Sequence, residues 1–433
     1  MVNILSLVKQ LNSDDPEASQ EARNIYMSLN VDDVIPAFIN IATDKDEDLS
    51  LRGFCIQELS YQFAESAVEP FINLLSDEVE DSYIKNLIID LLGYLGDKRA
   101  LKPILQLSDN KSLLLSTVYA LSGFEEKEAK EQLFKLLDKY IEYNAYRFYI
   151  VCALAGDKRV IPDLLVFLLH NYNVDRYQRY TAANMLGQFG DKRAIPILLG
   201  TLQDQDDLVV RSSAGALSAL KATEAVLTLI YKMQEATPRN ATIFVPALGL
   251  LGDKVAVEPL IERLKGCLGD NTKREARDEY SKLREAIAVA LCQLGDKRAI
   301  PVLEQALKLE MAIYPPTRFD GVRAIKGALF GLGQDQYLNE LDDIFENRGF
   351  PYDILVSSGR LSREQVVNIA RNMLLKENER SHGVALSILG DFGEQKEVPL
   401  ITDFVAHKRK VGDSSIRNRV RKAVKQINNR KSY

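Results

Sequence analysis

LGDKRALKP at 95–103 returns as AGDKRVIPD at 155–163, FGDKRAIPI at 189–197, LGDKVAVEP at 251–259 and LGDKRAIPV at 294–302. The turn glycines are Gly96, Gly156, Gly190, Gly252 and Gly295, spaced by 60, 34, 62 and 43 residues. A gap near 60 is two units of about 30 whose middle signature has faded. LSGFEEKEA around Gly123 and LSALKATEA near Leu220 stand in two of those places, and LSYQFAESAVEP at 59–70 and DFGEQKEVP at 391–399 carry the pattern toward both ends. Each copy has one physical reading. Glycine closes a helix in a left-handed cap, Asp-Lys-Arg makes the turn, and proline enters the first turn of the next helix, where its missing N–H costs nothing. Val210, Ala214, Leu217 and Leu220 form one apolar stripe, of the kind that stacked repeats bury between them. The expectation is an all-α chain, an α-solenoid (α/α superhelix) of about a dozen helix pairs running continuously over 1–433 as a single domain.

Composition agrees. The chain has 433 residues, 46% hydrophobic and 27% charged, with no tryptophan and 18 tyrosines. A net charge of −6 and the lack of a continuous Lys/Arg stripe speak against nucleic acid or an anionic membrane as partner. The opening MVNILSLVKQLNSDDPEA lacks the apolar run and small-residue site of a signal peptide, and no stretch is apolar enough to span a bilayer. Cys55, Cys152, Cys267 and Cys292 are far apart, and with three histidines they suit neither a zinc site nor a disulfide framework. A reducing, cytoplasmic setting is expected. Cys152 and Cys292, inside VCALAG and ALCQLG, read as core thiols rather than nucleophiles.

A second ladder runs through the second helix of each unit. Eleven residues before the turn position stand Arg52, Lys85, Arg179 and Arg284, with Arg211 and Arg323 in near-equivalent places. Asp48, Asp81, Asp175 and Asp207 lie four residues earlier. An acid there caps its helix, and the base one turn on pairs with it or with the neighbouring unit, so these residues read as structural. Two insertions, 266–282 and 311–321, break the rhythm as loops or lengthened turns.

Comparing the repeats with one another exposes departures. Most units are bland on the inner face of the second helix, as at Leu208, Ser212 and Ala216. The 172–190 unit instead has Arg176, Tyr180 and Asn184 at i, i+4 and i+8, and the unit before it carries Arg147 beside Tyr146. A solvated charged face with tyrosines at repeat seams would look the same. The sharpest departure is TRFDGVRAIKGALFGLG at 317–333, where Phe319 replaces the ladder acid and Asp320 moves the carboxylate one residue on, a rotation of about 100° toward the inner face. Only Ala324 and Ala328 lie below it, which suggests room for a ligand; the bland reading makes Asp320 a cap with slipped register. Tyr280 breaks the ladder in the preceding unit, with Glu285 on its inner face. GxSxG, a phosphate loop and HExxH are all lacking.

The GDKRAIP repeat resembles the HEAT-like repeat of phycobilin lyases. NYNVDRYQRYTAANMLGQFGDKRAIP at 171–196 and YPPTRFDGVRAIKGALFGLG at 314–333 are similar to signature stretches of the E/F-type lyases, and the length resembles the single-chain, phycoerythrin-handling branch. The resemblance implies a phycobilin, phycoerythrobilin, as bound substrate, no prosthetic group, and the alpha subunit of phycoerythrin as acceptor, whose cysteine takes the bilin in thioether linkage. It also implies roles. Arg147, Arg176 and Arg318 would meet the propionates, and Tyr146, Tyr180, Tyr280 or Phe319 would stack on the conjugated plane. Asn184 and Glu285 would line the same surface, and Asp320 would be counter-ion and acid for the protonated pyrroles. The nucleophilic thiol would be the partner's. Some relatives also isomerise the bilin to phycourobilin; Phe319 cannot donate a proton where tyrosine could, so a lyase without that activity is implied. Rival readings are a non-catalytic adaptor gripping a protein partner on its concave face and a nucleic-acid enzyme on the same scaffold, the latter opposed by charge.

Overall fold

The computed structural model describes residues 4–11, 15–29, 31–62, 64–140, 144–169, 174–269, 274–313, 320–345, 352–375, 379–408 and 414–430. Among them are α-helices and short 3-10 turns and no strand, as the repeat pattern requires. The residues form two compact units, Met1–Phe167 and Leu168–Tyr433.

The turn chemistry is as read. Gly96, Gly156, Gly190, Gly252 and Gly295 all have φ between 63° and 97°. The following aspartate caps the next element: Asp97, Asp157, Asp191, Asp253 and Asp296 each accept from the backbone N–H two residues on. The arginine of Asp-Lys-Arg folds back on the same carboxylate, at 2.7 Å for Arg99–Asp97 and 2.8 Å for Arg298–Asp296. It also reaches the preceding repeat, as Arg99 does Glu69 at 2.9 Å. These pairs hold the Asp97 and Asp157 carboxyls below their usual value and bring Asp296 down to about 2. Pro196 follows the short turn Lys192–Ala194 and sits in the first turn of the Ile195–Thr201 helix.

Two faded copies solve the turn differently. Gly123 has φ −78° and is not a left-handed cap, whereas Lys221 has φ 54° and does that job with a side chain attached. Registering that repeat on Lys221 puts Val210, 6% exposed, at the ladder position, and leaves Arg211 exposed. Arg211 is therefore not a ladder residue, which corrects the sequence reading.

The ladder itself links repeats. Arg52 donates to the Ala42 carbonyl and forks onto Glu80, with both side chains buried. Arg179 bonds the Val174 carbonyl and forks onto Asp204. Arg284 bonds the Cys267 carbonyl at 2.8 Å and Glu310 at 2.6 Å. In each case the acid lies 25 to 28 residues on, not four back. Asp48, Asp81 and Asp175 act as caps, accepting from Ser50, Tyr83 and Tyr177. A guanidinium that satisfies a carbonyl at or near a helix end and a neighbouring acid together ties the spacing of one repeat to the next.

Second helices in the same unit pack closely through small residues. A Cβ added at Gly187 would lie 2.8 Å from the Ala216 backbone, and one at Gly93 would lie 2.4 Å from Ala120. The 266–282 insertion is not all loop: residues 274–282 are the first turns of a 21-residue helix, Arg274–Leu294. Residues 311–313 close the Ile300–Ile313 helix, and 314–319 lie outside the described residues.

Candidate functional site

The 176–189 helix carries the best-formed part of the candidate surface. Asp175 caps it through the Tyr177 N–H at 2.7 Å, which fixes the first turn. Arg179 is turned inward to its ladder partners, so Arg176 and Tyr180, three residues before and one after, face out. Arg176 lies over the Tyr177 ring, 4.9 Å from its centre, donates to the Tyr177 hydroxyl at 3.2 Å, and stands 3.5 Å from Asp206. These neighbours hold its pKa above the ordinary value, Tyr177 first. Tyr177 is 54% exposed and Tyr180 is 37% exposed, and Asn184 is half-buried one turn on. The structure therefore presents a cation, two phenol rings and an amide along one face of one helix. That set suits a flat ligand bearing a carboxylate.

Other candidates fall elsewhere. Arg147 belongs to the first unit, and its guanidinium is committed: Nε donates to Asp163 at 2.8 Å and Nη2 at 2.5 Å, both side chains being largely buried. A second carboxylate would have to compete with that pair. Tyr146 packs its ring 5.5 Å from Tyr140. Tyr280 and Glu285 are half-buried on the Arg274–Leu294 helix. Arg318 and Phe319, with Tyr143 and Tyr172, lie outside the described residues.

Asp320 opens the Asp320–Gly331 helix with its side chain 75% exposed and 3.8 Å from Arg323. The space inferred beneath it is filled, however. Ala324 and Ala328 are both fully buried. Their row is the one that Ala216 uses against Gly187, so it is a packing seam and not a cleft. The bland comparison set, Ser212 and Ala216, is buried for the same reason. Comparing repeats with one residue of register error mistook the seam for the inner face.

All four cysteines are free. Burial pushes Cys55 and Cys292 up to about 12 and Cys152 and Cys267 to about 11, so none is a thiolate at neutral pH. Among the described residues no group of three His, Cys, Asp or Glu side chains is placed to hold a metal, and no helix is long and apolar enough to cross a membrane. A groove of about 640 Å³ lies between the turns at Ser122–Glu125 and Ala153–Lys158, with Lys130 on its wall, and contains none of the candidate residues.

The sequence reading missed Asp90, in the first unit. It is half-buried beside Ser116 and has its pKa raised by burial. The signal was available as a polar residue six before a turn glycine, with Tyr94 one turn on.

Fold and surface together define a helical-repeat solenoid with a polar, tyrosine-bearing exposed row. Residues 131–221 and 162–242 match the HEAT repeats model, and residues 283–308 match the PBS lyase HEAT-like repeat model. The chain is similar to the phycocyanobilin lyase subunit alpha of Picosynechococcus sp., at 36% identity over 135 residues, which is 31% of this chain and 37% of that protein's length. Among solved structures, it is similar to importin beta, with a TM-score of 0.52 and 12% identity over 98% of this chain and 69% of the other. It is also similar to the karyopherin Kap121p bound to Pho4p, with a TM-score of 0.54 and 11% identity over 98% and 59%. At that identity these two structures speak for the solenoid fold alone.

Proposed function

We propose that this chain is a bilin lyase that binds phycoerythrobilin and joins it through a thioether to a cysteine of a phycoerythrin subunit, the alpha subunit in the first instance. The observation that carries the reading is the 36% identity to a phycocyanobilin lyase subunit, with a PBS lyase HEAT-like repeat at 283–308. The surface chemistry is compatible with it. Arg176, held at the first turn of its helix and exposed, is the guanidinium available to a propionate. Tyr180 offers a ring for the conjugated plane and Asn184 an amide for a lactam edge.

In the proposed reaction the acceptor's S–H adds across the ring A ethylidene double bond. Sulfur bonds to one carbon, the thiol proton is given up to solvent, and a proton is delivered to the bilin, so nothing leaves and no oxidant is consumed. Asp320 is the proposed counter-ion and acid, exposed enough to meet a ligand lying over its helix terminus. The four free thiols here, three buried and Cys152 half-buried, take no part, since the nucleophile belongs to the acceptor. Isomerisation to phycourobilin is not part of the proposal, because Phe319 lacks a transferable proton. Co-expression with the bilin pathway and individual phycoerythrin subunits tests it. A denaturing gel should show covalent bilin fluorescence on one subunit, and a bare gel with functional bilin synthesis would refute it.

A further inference from the structure

The first unit has an exposed surface that the proposed chemistry does not use. The Ser82–Leu95 and Leu114–Ser122 helices meet closely where Gly93 rests on Ala120. One turn earlier Ser116 lies beside the Asp90 carboxylate, and further on Asn86 donates to the Ser112 carbonyl at 3.2 Å. These contacts fix which side chains flank the seam. Tyr94 adjoins Gly93 and is 56% exposed; Tyr119 adjoins Ala120 and is 70% exposed; Leu115 is 47% exposed. No Lys or Arg among the described residues pairs with Asp90.

We infer that this surface docks the acceptor protein by one of its helices, whose apolar side covers Tyr94, Leu115 and Tyr119 and whose basic residue meets Asp90. The inference rests on the reading of the chain as a bilin lyase. Charge decides the occupant. The row presents Asn86, Asp90, Tyr94, Leu115, Ser116 and Tyr119, so it offers a carboxylate and hydroxyls but no cation. A bilin placed there would leave both propionates unpaired beside a carboxylate, whereas a helix carrying Lys or Arg would supply the charge Asp90 lacks. Area points the same way. Two tyrosines and a leucine exposed to about half or more amount to roughly 300 Å². That is the core of a protein footprint of about 800 Å², and tyrosine is a residue that anchors such cores.

The test uses the full chain with purified, bilin-free phycoerythrin alpha subunit, measured by calorimetry, beside bilin titration and ligation assays. The double variant Tyr94→Ser/Tyr119→Ser should weaken subunit binding about tenfold or more, and Asp90→Asn should weaken it about fivefold with a smaller salt dependence. Bilin affinity and helicity should stay at wild type. Wild-type subunit affinity in both variants, with ligation by the parent chain intact, would overturn the docking surface and leave the lyase reading standing. Loss of bilin affinity in place of subunit affinity would give the surface to the chromophore and overturn it equally. A parent chain that binds neither bilin nor subunit would instead remove the lyase reading, and this inference with it.

Discussion

Replacing Glu310 by Gln removes one charge from the most deeply buried ion pair of the ladder. Arg284 is 0% exposed and Glu310 1%. Arg284 Nε reaches Glu310 Oε1 at 2.6 Å, Ser281 donates to Oε2 at 2.9 Å, and Arg284 Nη1 reaches the Cys267 carbonyl. One guanidinium nitrogen, Nη2, already has no partner among the described residues. The amide keeps one acceptor for Nε but leaves the cation uncompensated where water does not enter. Breaking a buried pair from one side costs about 3–5 kcal/mol, and the retained acceptor places this case near the lower end, about 3 kcal/mol. Removing both partners, as Arg284→Met/Glu310→Leu, should cost far less or nothing, because the desolvation penalty leaves with the charges. A solenoid opens locally, so the assay is urea denaturation together with hydrogen exchange of amides in 274–294 and 320–331. Those amides should lose protection in Glu310→Gln and regain it in the double variant. A Glu310→Gln chain within about 0.5 kcal/mol of wild type, with unchanged exchange, would refute the claim that this pair ties the repeats together.

Four further outcomes follow from the geometry. Gly190 has φ 70° and open space where a Cβ would stand, so Gly190→Val pays only backbone strain, about 1 kcal/mol or more, while Lys221→Gly at φ 54° should stabilise by up to about 1 kcal/mol; thermal melts that move neither way would mean that the left-handed turns are misdrawn. Arg176→Ala should weaken bilin binding by about 1–3 kcal/mol with helicity intact, whereas Arg147→Ala, by stripping Asp163 of its partner, should lower stability as well; bilin titration and melting separate the two. Asp320→Asn should leave stability nearly unchanged and slow ligation about 10²-fold, and full activity would return the residue to the scaffold. The turn aspartates are held below the usual carboxylate pKa when folded, Asp296 at about 2. Their contribution is therefore present above the ordinary carboxylate range and lost as pH falls below it, for Asp296 through about 2, a loss that Arg298→Gln and high salt should both shrink in acid denaturation curves.

Sequence alone determined the repeat, its period and its turn chemistry, because a left-handed glycine, a capping aspartate and a proline in the first helical turn are local requirements that a few residues satisfy. It also marked Arg176, Tyr180 and Asn184 as one face, since helical spacing is local too. It did not determine partners. Arg52, Arg179 and Arg284 find their acids about a repeat away, at Glu80, Asp204 and Glu310, and only stacking brings those side chains together. Nor could it keep register where the signature glycine was missing. Lys221 took the left-handed role in one repeat; in another, anchoring on Arg323 in place of the turn glycine Gly333, φ 110°, moved the count by one, and a buried seam at Ala324 and Ala328 passed for an open face. One residue is a 100° turn on a helix, so exposure, unlike helicity, had to wait for the packing of each second helix against the next. Asp90 shows the same division: its carboxylate is visible in the chain, but its half-burial was set by packing.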